Sequence, residues 1–228
     1  MKKKPSATKN NLEAIAEKIR LYFSAKDAAR ENALRLSREI IRYSANAIRA
    51  VHRQEEAAAE QLLISASTLI QGLANDVLQK HNDLLHAGFV HDAQKEFAEA
   101  STTLALVTEK SLPEPETLGV SYPAYLNGLG EAVGELRRYL LDSLRRNDLS
   151  RCEDLLAIMD DIYAVLITMD FPDGITYGLR RTTDAVRGIL EKTRGDLTLV
   201  LRQKELEEQL KQISKRKVSP DRQKPNVL

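Results

Sequence analysis

Residues that interrupt helices are rare in this chain. Its 228 residues include 10 glycines and 7 prolines, and most of the prolines fall where a helix would begin or end. Apolar residues recur at helical spacing, and no stretch shows the alternation of apolar and polar residues that a half-buried strand requires. The sequence therefore predicts an all-α protein, a single-domain bundle of six or seven helices.

The predicted helices follow one another with short connections. They cover residues 11–55, 56–79, 91–109, 121–146 and 149–168, and a last helix begins near Thr176. A Pro- and Gly-rich loop, SLPEPETLGVSYP, precedes the fourth helix, and Pro172 with Gly174 ends the fifth. Residues 1–10 and 214–228 are basic and predicted to be flexible, which leaves 11–213 as the helical domain. Several helices look apolar on more than one side, which favours a homo-oligomer.

Composition narrows the class of protein. A net charge of +1, from 34 Lys+Arg and 33 Asp+Glu, excludes a globally basic nucleic-acid binder but allows a local basic face. The single cysteine, Cys152, excludes an intramolecular disulfide and is typical of a small buried apolar residue. No apolar run reaches the roughly 18 residues that would span a bilayer. These features predict a cytoplasmic protein with no membrane association.

The fourth predicted helix carries a pair of acids among small residues. Glu131 and Glu135 lie four residues apart, so both carboxylates project from the same side of the helix. Three glycines surround them, and glycine weakens a helix interior by roughly 1 kcal/mol relative to alanine. Their presence suggests close approach of another backbone or of a ligand at Gly128, Gly130 and Gly134. A solvated acidic pair at the helix edge is the alternative.

A second acidic pair lies on the third helix. Glu96 and Glu99, in KEFAEA, are three residues apart, and they would meet Glu131 and Glu135 if the two helices pack together. Four carboxylates that close repel one another unless a cation or protons intervene. Oxygen ligands without nearby His or Cys suit Mg²⁺ or Mn²⁺ rather than Zn²⁺. A di-iron centre is weakly supported, because neither pair includes the usual E-x-x-H.

The first helix carries a stripe of one charge sign. Acids are sparse there, with Glu39 between the arginines, and His52 sits beside the end of the stripe. Such a stripe suits contact with a phosphate backbone, although a solvated face would have the same pattern. Tyr43 could stack on a base or belong to the core. The stripe, called the arginine stripe below, comprises Arg35, Arg38, Arg42, Arg49 and Arg53.

Two other sets of polar residues carry weaker signals. The last helix is basic at Arg180, Arg181, Arg187 and Arg194, but acids interleave with these arginines, which favours ion pairs between helices. Three histidines, His81, His86 and His91, straddle a loop and could bind a transition metal, although exposed loop histidines are the commoner case. The sequence contains no nucleophile elbow, phosphate-cradling glycine loop or CxxC motif.

Taken together, these motifs resemble the translin superfamily, and most closely its branch of translin-associated factor X and archaeal-type relatives. The resemblance runs over roughly residues 12–200. It is carried by LSREIIRYSANAIRAVHR (36–53), EFAEA (96–100), YPAYLNGLGEAVGELRRYLLDSLRRND (122–148), DIYAVLITMDFPD (161–173) and GLRRTTDAVRGILEKTRGDLT (178–198). The Y-L-x-G-L-x-[DE]-x-x-x-E-L-x-R pattern within the third of these is distinctive.

The resemblance implies a helical protein that assembles into a hollow octameric shell, here a homo-octamer. Factor X members are Mg²⁺-dependent endoribonucleases that cut single-stranded RNA inside the shell, whereas translin members bind single-stranded RNA and DNA without the full acidic set. Carried over by motif, the catalytic and metal-binding acids are Glu96, Glu99, Glu131 and Glu135, all acidic here. Position 131 is more familiar as Asp in the family. The RNA-contacting basic face corresponds to the arginine stripe with His52.

Overall fold

The computed structural model describes residues 7–78 and 81–218 of the chain. These residues form eight α-helices: α1 (Ala7–His52), α2 (Glu56–Gly72), α3 (Gly88–Val107), α4 (Pro115–Leu118), α5 (Tyr122–Arg145), α6 (Cys152–Leu166), α7 (Asp173–Thr176) and α8 (Leu179–Val218). A π-helical segment, Leu73–Leu78, follows α2, and a 3₁₀ segment, Asn82–His86, precedes α3. The two described ranges contain no strand, so the predicted all-α class is confirmed.

The structure differs from the predicted helices at several points. The short helices α4 and α7 lie within stretches predicted to be a loop and a break. The second helix stops being α-helical at Gly72, where the missing side chain makes a change of backbone geometry less costly. The last helix begins at Leu179, because Tyr177 and Gly178 both have positive φ, 52° and 80°, and cannot continue a right-handed helix.

The predicted flexible termini fall mainly outside the described part of the chain. Helix α1 already begins at Ala7, and α8 extends to Val218. The rest of the predicted termini, residues 1–6 and 219–228, lies outside the described residues. In the described ranges, no helix is both long and apolar enough to cross a bilayer.

Helices α3 and α5 pack along each other at the centre of the molecule. Helices α1 and α2 cover the other side of α3, and α6 and α8 cover the other side of α5. Every residue of α3 from Phe97 to Val107 is buried, which is why the residues there other than Glu99 are apolar or small. Core side chains such as Leu136 and Leu140 of α5 are fully buried, and each stabilises the fold by roughly 1.5–3 kcal/mol. The acid-bearing turns of both helices therefore belong to a rigid, tightly packed pair.

Candidate metal centre and adjoining cleft

The contact between α3 and α5 is closest at Gly128. A Cβ atom on Gly128 would lie 2.5 Å from the carbonyl oxygen of Lys95 and 2.8 Å from the amide nitrogen of Glu99. The two backbones thus touch beside the acids of α3. Gly130 similarly allows contact with Thr182 of α8, whose Cγ2 would be 2.5 Å away, whereas Gly134 has only ordinary space around it. The predicted close approach of another backbone is therefore confirmed at Gly128, whereas the close neighbour of Gly130 is a side chain and Gly134 has ordinary contacts.

Three of the four predicted acids converge. Glu96, Glu99 and Glu131 each offer a carboxylate oxygen, and these oxygens all lie within 4.8 Å of one another. Glu99 is buried, with 9% of the residue exposed, and the other two are half-buried. Glu131 reaches the group although Asp is the familiar residue at that position. We call Glu96, Glu99 and Glu131 the carboxylate cluster.

The carboxylate cluster holds unfavourable negative charge. Burial, followed by repulsion from Glu131 and Glu96, raises the pKa of the Glu99 carboxyl to about 8. Burial also raises the pKa of Glu96 above its usual value. At neutral pH the cluster without a cation therefore retains a proton on Glu99. A divalent cation would relieve the same repulsion, and three carboxylate oxygens are a donor set that suits Mg²⁺ or Mn²⁺.

The fourth predicted acid, Glu135, lies one turn further along α5 and has a different partner. His52, at the end of α1, donates its Nε2–H to the Glu135 carboxylate. This hydrogen bond lowers the pKa of Glu135 below its usual value, against the effect of burial. The side chain of His52 is 5% exposed, and its Nδ1 atom is buried with no hydrogen-bond partner among the described residues. His52 thus orients an ionised carboxylate beside the carboxylate cluster.

Sequence reasoning missed Lys95, which sits inside the carboxylate cluster. Its ammonium group donates a hydrogen bond of 2.6 Å to Glu131 Oε1 and lies 3.9 Å from a Glu96 oxygen. Burial lowers the pKa of Lys95, but the hydrogen bond to Glu131 and the charges of nearby acids outweigh that effect, so this pKa lies above its usual value. The signal available in the sequence was the Lys next to Glu96, which does not by itself indicate a partner on another helix.

The arginine stripe remains on the surface of α1, and the structure separates His52 from it. All five arginines are exposed. Arg35 pairs with Glu39 at 3.3 Å and Arg53 with Glu55 at 2.7 Å. Arg38 and Arg42 have no carboxylate within ion-pair distance among the described residues. Arg42 instead covers the half-buried Tyr43 ring, 5.4 Å from its centroid. Arg49 donates a hydrogen bond to the side chain of Asn46.

A cleft of about 970 Å³ adjoins the carboxylate cluster. One wall is formed by α3 and α5 and carries the carboxylate cluster, Lys95 and Asp92. Another wall is formed by α7, the start of α8 and the residues between them, including Tyr177 and Arg181. The rings of two lining residues, His91 and Tyr177, stack with their centroids 4.3 Å apart and an interplanar angle of 13°. Sequence reasoning missed Tyr177, because its partner His91 is distant in sequence and the two rings meet only through the packing of the helices.

The other sequence signals lie elsewhere. Three of the four arginines in the basic run of α8 form ion pairs, and the pair of Arg194 with Asp160 joins α8 to α6 as predicted. The other two pairs do not join helices, because Asp170, the partner of Arg180, lies between α6 and α7 and Glu191, the partner of Arg187, lies within α8. The three histidines do not assemble, since His91 is buried against Tyr177 and, in the described ranges, the carboxylate cluster is the one group with metal-ligand spacing. Cys152 is buried, as predicted.

Comparison with known proteins places the chain among archaeal relatives. No protein-family model matches it. An uncharacterised protein of Methanocaldococcus jannaschii is 30% identical over 197 residues, which cover 84% of this chain and 85% of that protein. Among solved structures, AfC3PO from Archaeoglobus, determined alone and in complex with duplex RNA, is 32% and 31% identical respectively. Both structures superpose with a TM-score of 0.71 over 81% of this chain, and the match covers 96% and 95% of their chains.

A more distant structure shares the fold. The apo form of NeC3PO, from Nematostella, is 19% identical, with a TM-score of 0.73 over 81% of this chain and 96% of that one. The bundle is therefore retained where most residues differ.

Proposed function

Given that this chain belongs to the translin superfamily, we propose that it is a Mg²⁺- or Mn²⁺-dependent endoribonuclease that binds and cuts single-stranded RNA within a homo-octameric shell. The observation that carries this proposal is the carboxylate cluster, whose three oxygens lie within 4.8 Å beside an open cleft. The Archaeoglobus relative was solved with duplex RNA, which supports RNA as the class of ligand.

The residues of the site fit a divalent cation. Glu96, Glu99 and Glu131 would hold it through hard oxygen donors, and Glu135 stands next to them as a fourth acid. The bound cation would activate water and stabilise the negative charge that develops on a phosphodiester. Glu135 Oε2 accepts the hydrogen bond from His52, and its Oε1 has no hydrogen-bond partner among the described residues. That free oxygen can accept the proton of the attacking water.

The arginine stripe would hold the RNA backbone. Arg38 and Arg42 are exposed and free of carboxylates within the described part of the chain, so their charge is available to phosphates. Arg35 and Arg53 would exchange exposed ion pairs for phosphate contacts, and exposed ion pairs contribute at most about 1 kcal/mol. Binding of this kind falls steeply with salt, because phosphate contacts release counterions.

Exposed apolar residues support assembly into an oligomer. They lie near the start of α1 and in the second half of α8, on helical faces that no other described element covers. Large exposed apolar surfaces mark interaction sites. The residues are Leu12, Ile15, Ile19 and Phe23 in α1 and Leu199, Leu206, Leu210 and Ile213 in α8.

Replacing Glu135 with alanine should abolish cleavage and leave RNA binding in place. Labelled single-stranded RNA would be incubated with wild type and variant, with Mg²⁺ or with EDTA, and both cleavage and binding would be measured. We expect cleavage only by wild type with Mg²⁺ or Mn²⁺, and Glu153→Ala, an exposed acid of α6, serves as the control. Cleavage at the wild-type rate by Glu135→Ala would show that the site is wrong.

A non-catalytic RNA- or DNA-binding protein is the second candidate function. Lys95 favours it, because its ammonium already offsets part of the charge of the carboxylate cluster without a metal. This candidate predicts salt-sensitive binding that is weakened by Arg42→Ala, with no cleavage under any divalent cation. The same assay therefore separates the two candidates.

Lys95→Gln should make the thermal stability of the protein depend more strongly on a bound divalent cation. Without the ammonium, Glu131 and Glu96 are left uncompensated, so we expect a lower melting temperature without metal. We also expect metal affinity to rise about tenfold, since a competing cation has been removed. Thermal melts with and without Mg²⁺ measure both effects, and Lys192→Gln, an exposed position on α8, is the control. If Mg²⁺ raises the melting temperature of wild type and Lys95→Gln by the same amount, the Lys95 ammonium does not compete with the metal.

A further inference from the structure

We infer that Tyr177 and Arg181 form a nucleotide subsite in the cleft that the carboxylate cluster also lines, where the Tyr177 ring stacks on a base and Arg181 binds a backbone phosphate. The inference rests on the proposed function in that the occupant is an RNA strand. The inference adds two residues that would hold the nucleotide next to the scissile bond. The acids cannot hold it themselves, because carboxylates repel phosphate.

The backbone between α7 and α8 delivers both side chains to the cleft. Tyr177 has φ 52° and ψ 46°, a left-handed conformation that is uncommon for a residue with a side chain, and Gly178 follows with φ 80°. These two residues turn the chain sharply, so α8 starts beside the cleft. Arg181 lies in the first turn of α8, and both Tyr177 and Arg181 line the cleft. A strained backbone at a cleft often reflects a functional side chain.

The Tyr177 ring is held in place before any ligand binds. It stacks on His91 at 4.3 Å with an interplanar angle of 13°, and His91 itself is buried in α3. Tyr177 is 40% exposed and lines the cleft, so part of the residue remains accessible while His91 covers one face of the ring. A ring already ordered on one face loses little freedom when a base stacks on the other, and base stacking on aromatic rings tolerates any base.

Arg181 differs from the other arginines of its run. Arg180, its neighbour, pairs with Asp170 at 3.2 Å, whereas Arg181 is exposed with no carboxylate within ion-pair distance in the described ranges. Asp173 and the carboxylate cluster also line the cleft, and the other cation there, Lys95, is already bonded to Glu131. A guanidinium without a carboxylate partner suits a phosphate, which it can bind through two parallel hydrogen bonds.

The two walls together define how a strand would lie in the cleft. One phosphate would face the carboxylate cluster, and an adjacent nucleotide would be held by Arg181 through its phosphate and by Tyr177 through its base. A base can stack on Tyr177 only when it has left a duplex stack. Tyr177 therefore restricts cleavage to unpaired nucleotides, including those in a loop or at the end of a duplex.

Two measurements on the full-length protein test this subsite. The first uses short oligouridylates, each with one 2-aminopurine at a different position, bound in EDTA so that cleavage does not occur. We expect one position to be quenched more than the others, the quenching to be lost in Tyr177→Leu and to persist in Tyr177→Phe. The second measures cleavage of oligouridylate with Mg²⁺, where Arg181→Ala should raise KM about tenfold with a smaller change in kcat. The matched control Arg180→Ala should stay within about twofold of wild type.

The outcomes separate this inference from the proposed function. If wild type cleaves RNA but Arg181→Ala behaves like Arg180→Ala, or quenching persists in Tyr177→Leu, the subsite is wrong and the nuclease stands. If wild type binds without cleaving and the quenching pattern is as expected, the nuclease is wrong and the subsite stands. RNA that does not bind to wild type overturns both.

Discussion

Replacing Glu99 with glutamine should abolish RNA cleavage and, at the same time, stabilise the metal-free protein at neutral pH. Glutamine has nearly the same shape but no negative charge, so the carboxylate cluster loses its most buried anionic ligand. We expect cleavage to fall by at least about a hundredfold, in line with the loss of a group that stabilises charge in a transition state.

The stabilising effect follows from the pKa of Glu99. In the folded protein this pKa is about 8, against 4.5 for the ordinary group, so between these values the folded state binds the proton that the unfolded state has lost. The free energy of unfolding of the metal-free protein therefore falls as pH rises from about 4.5 to about 8, by an amount on the order of a few kcal/mol. Glu99→Gln removes this loss of stability, so the unfolding free energy of the variant should depend less on pH between these values.

Metal binding should show the opposite dependence on pH. Below about pH 8 the cation must displace a proton from Glu99, so Mn²⁺ affinity should rise by up to about tenfold per pH unit towards that value. Urea unfolding and Mn²⁺ titration at about pH 5 and about pH 8 measure both trends. Glu153→Gln, at an exposed position, should leave them unchanged. A wild-type unfolding free energy that rises over this interval would refute the assignment of a buried, protonated Glu99.

Replacing Gly128 with alanine should destabilise the protein and remove activity together. The added methyl group would lie 2.5 Å from the Lys95 carbonyl oxygen and 2.8 Å from the Glu99 amide nitrogen, so α3 and α5 must move apart. Overpacking of this kind costs about 1–3 kcal/mol, and the clash is with backbone, which has little freedom to move. The same movement separates Glu99 from Glu131, so metal affinity and cleavage should both fall by at least about tenfold.

The same helix provides a matched control. A methyl group on Gly134 would come no closer than 3.9 Å to Ile189, so Gly134→Ala should leave cleavage intact and stabilise the protein by up to about 1 kcal/mol. Chemical denaturation and Mn²⁺ binding of both variants provide the comparison. If both alanine variants are equally stable and equally active, the close packing of α3 on α5 does not position the site.

Much of the fold and part of the site could be predicted from local patterns. The helix that carries Glu131 and Glu135 was predicted at 121–146 and is observed at Tyr122–Arg145, because Pro123 near its start and its apolar spacing are local signals. The pairing of Glu96 with Glu99 on one side of α3 likewise follows from helical geometry. The exposed face of the arginine stripe follows from spacing as well.

The partners of these residues could not be predicted, since each depends on a contact between distant segments. His52 looked like the end of the arginine stripe, yet it is buried against Glu135, 83 residues away. Lys95 carries no local signal of a partner on another helix, yet it bonds to Glu131 of α5. Arg181 belongs to a run that was predicted to be ion-paired, yet it has no carboxylate within ion-pair distance among the described residues, unlike Arg180 and Arg194.

By itself, the sequence determined that the chain is helical, which residues share a helical face, and that two acidic pairs exist. Those properties depend on residues within a few positions of one another, where helical geometry leaves little choice. The tertiary structure alone decided that three acids meet while Glu135 pairs with His52, that Lys95 lies among them, and that Tyr177 lines the same cleft. The physical reason is that the approach of α3 to α5 is set by backbone contact at Gly128, and that contact places each charge beside its partner.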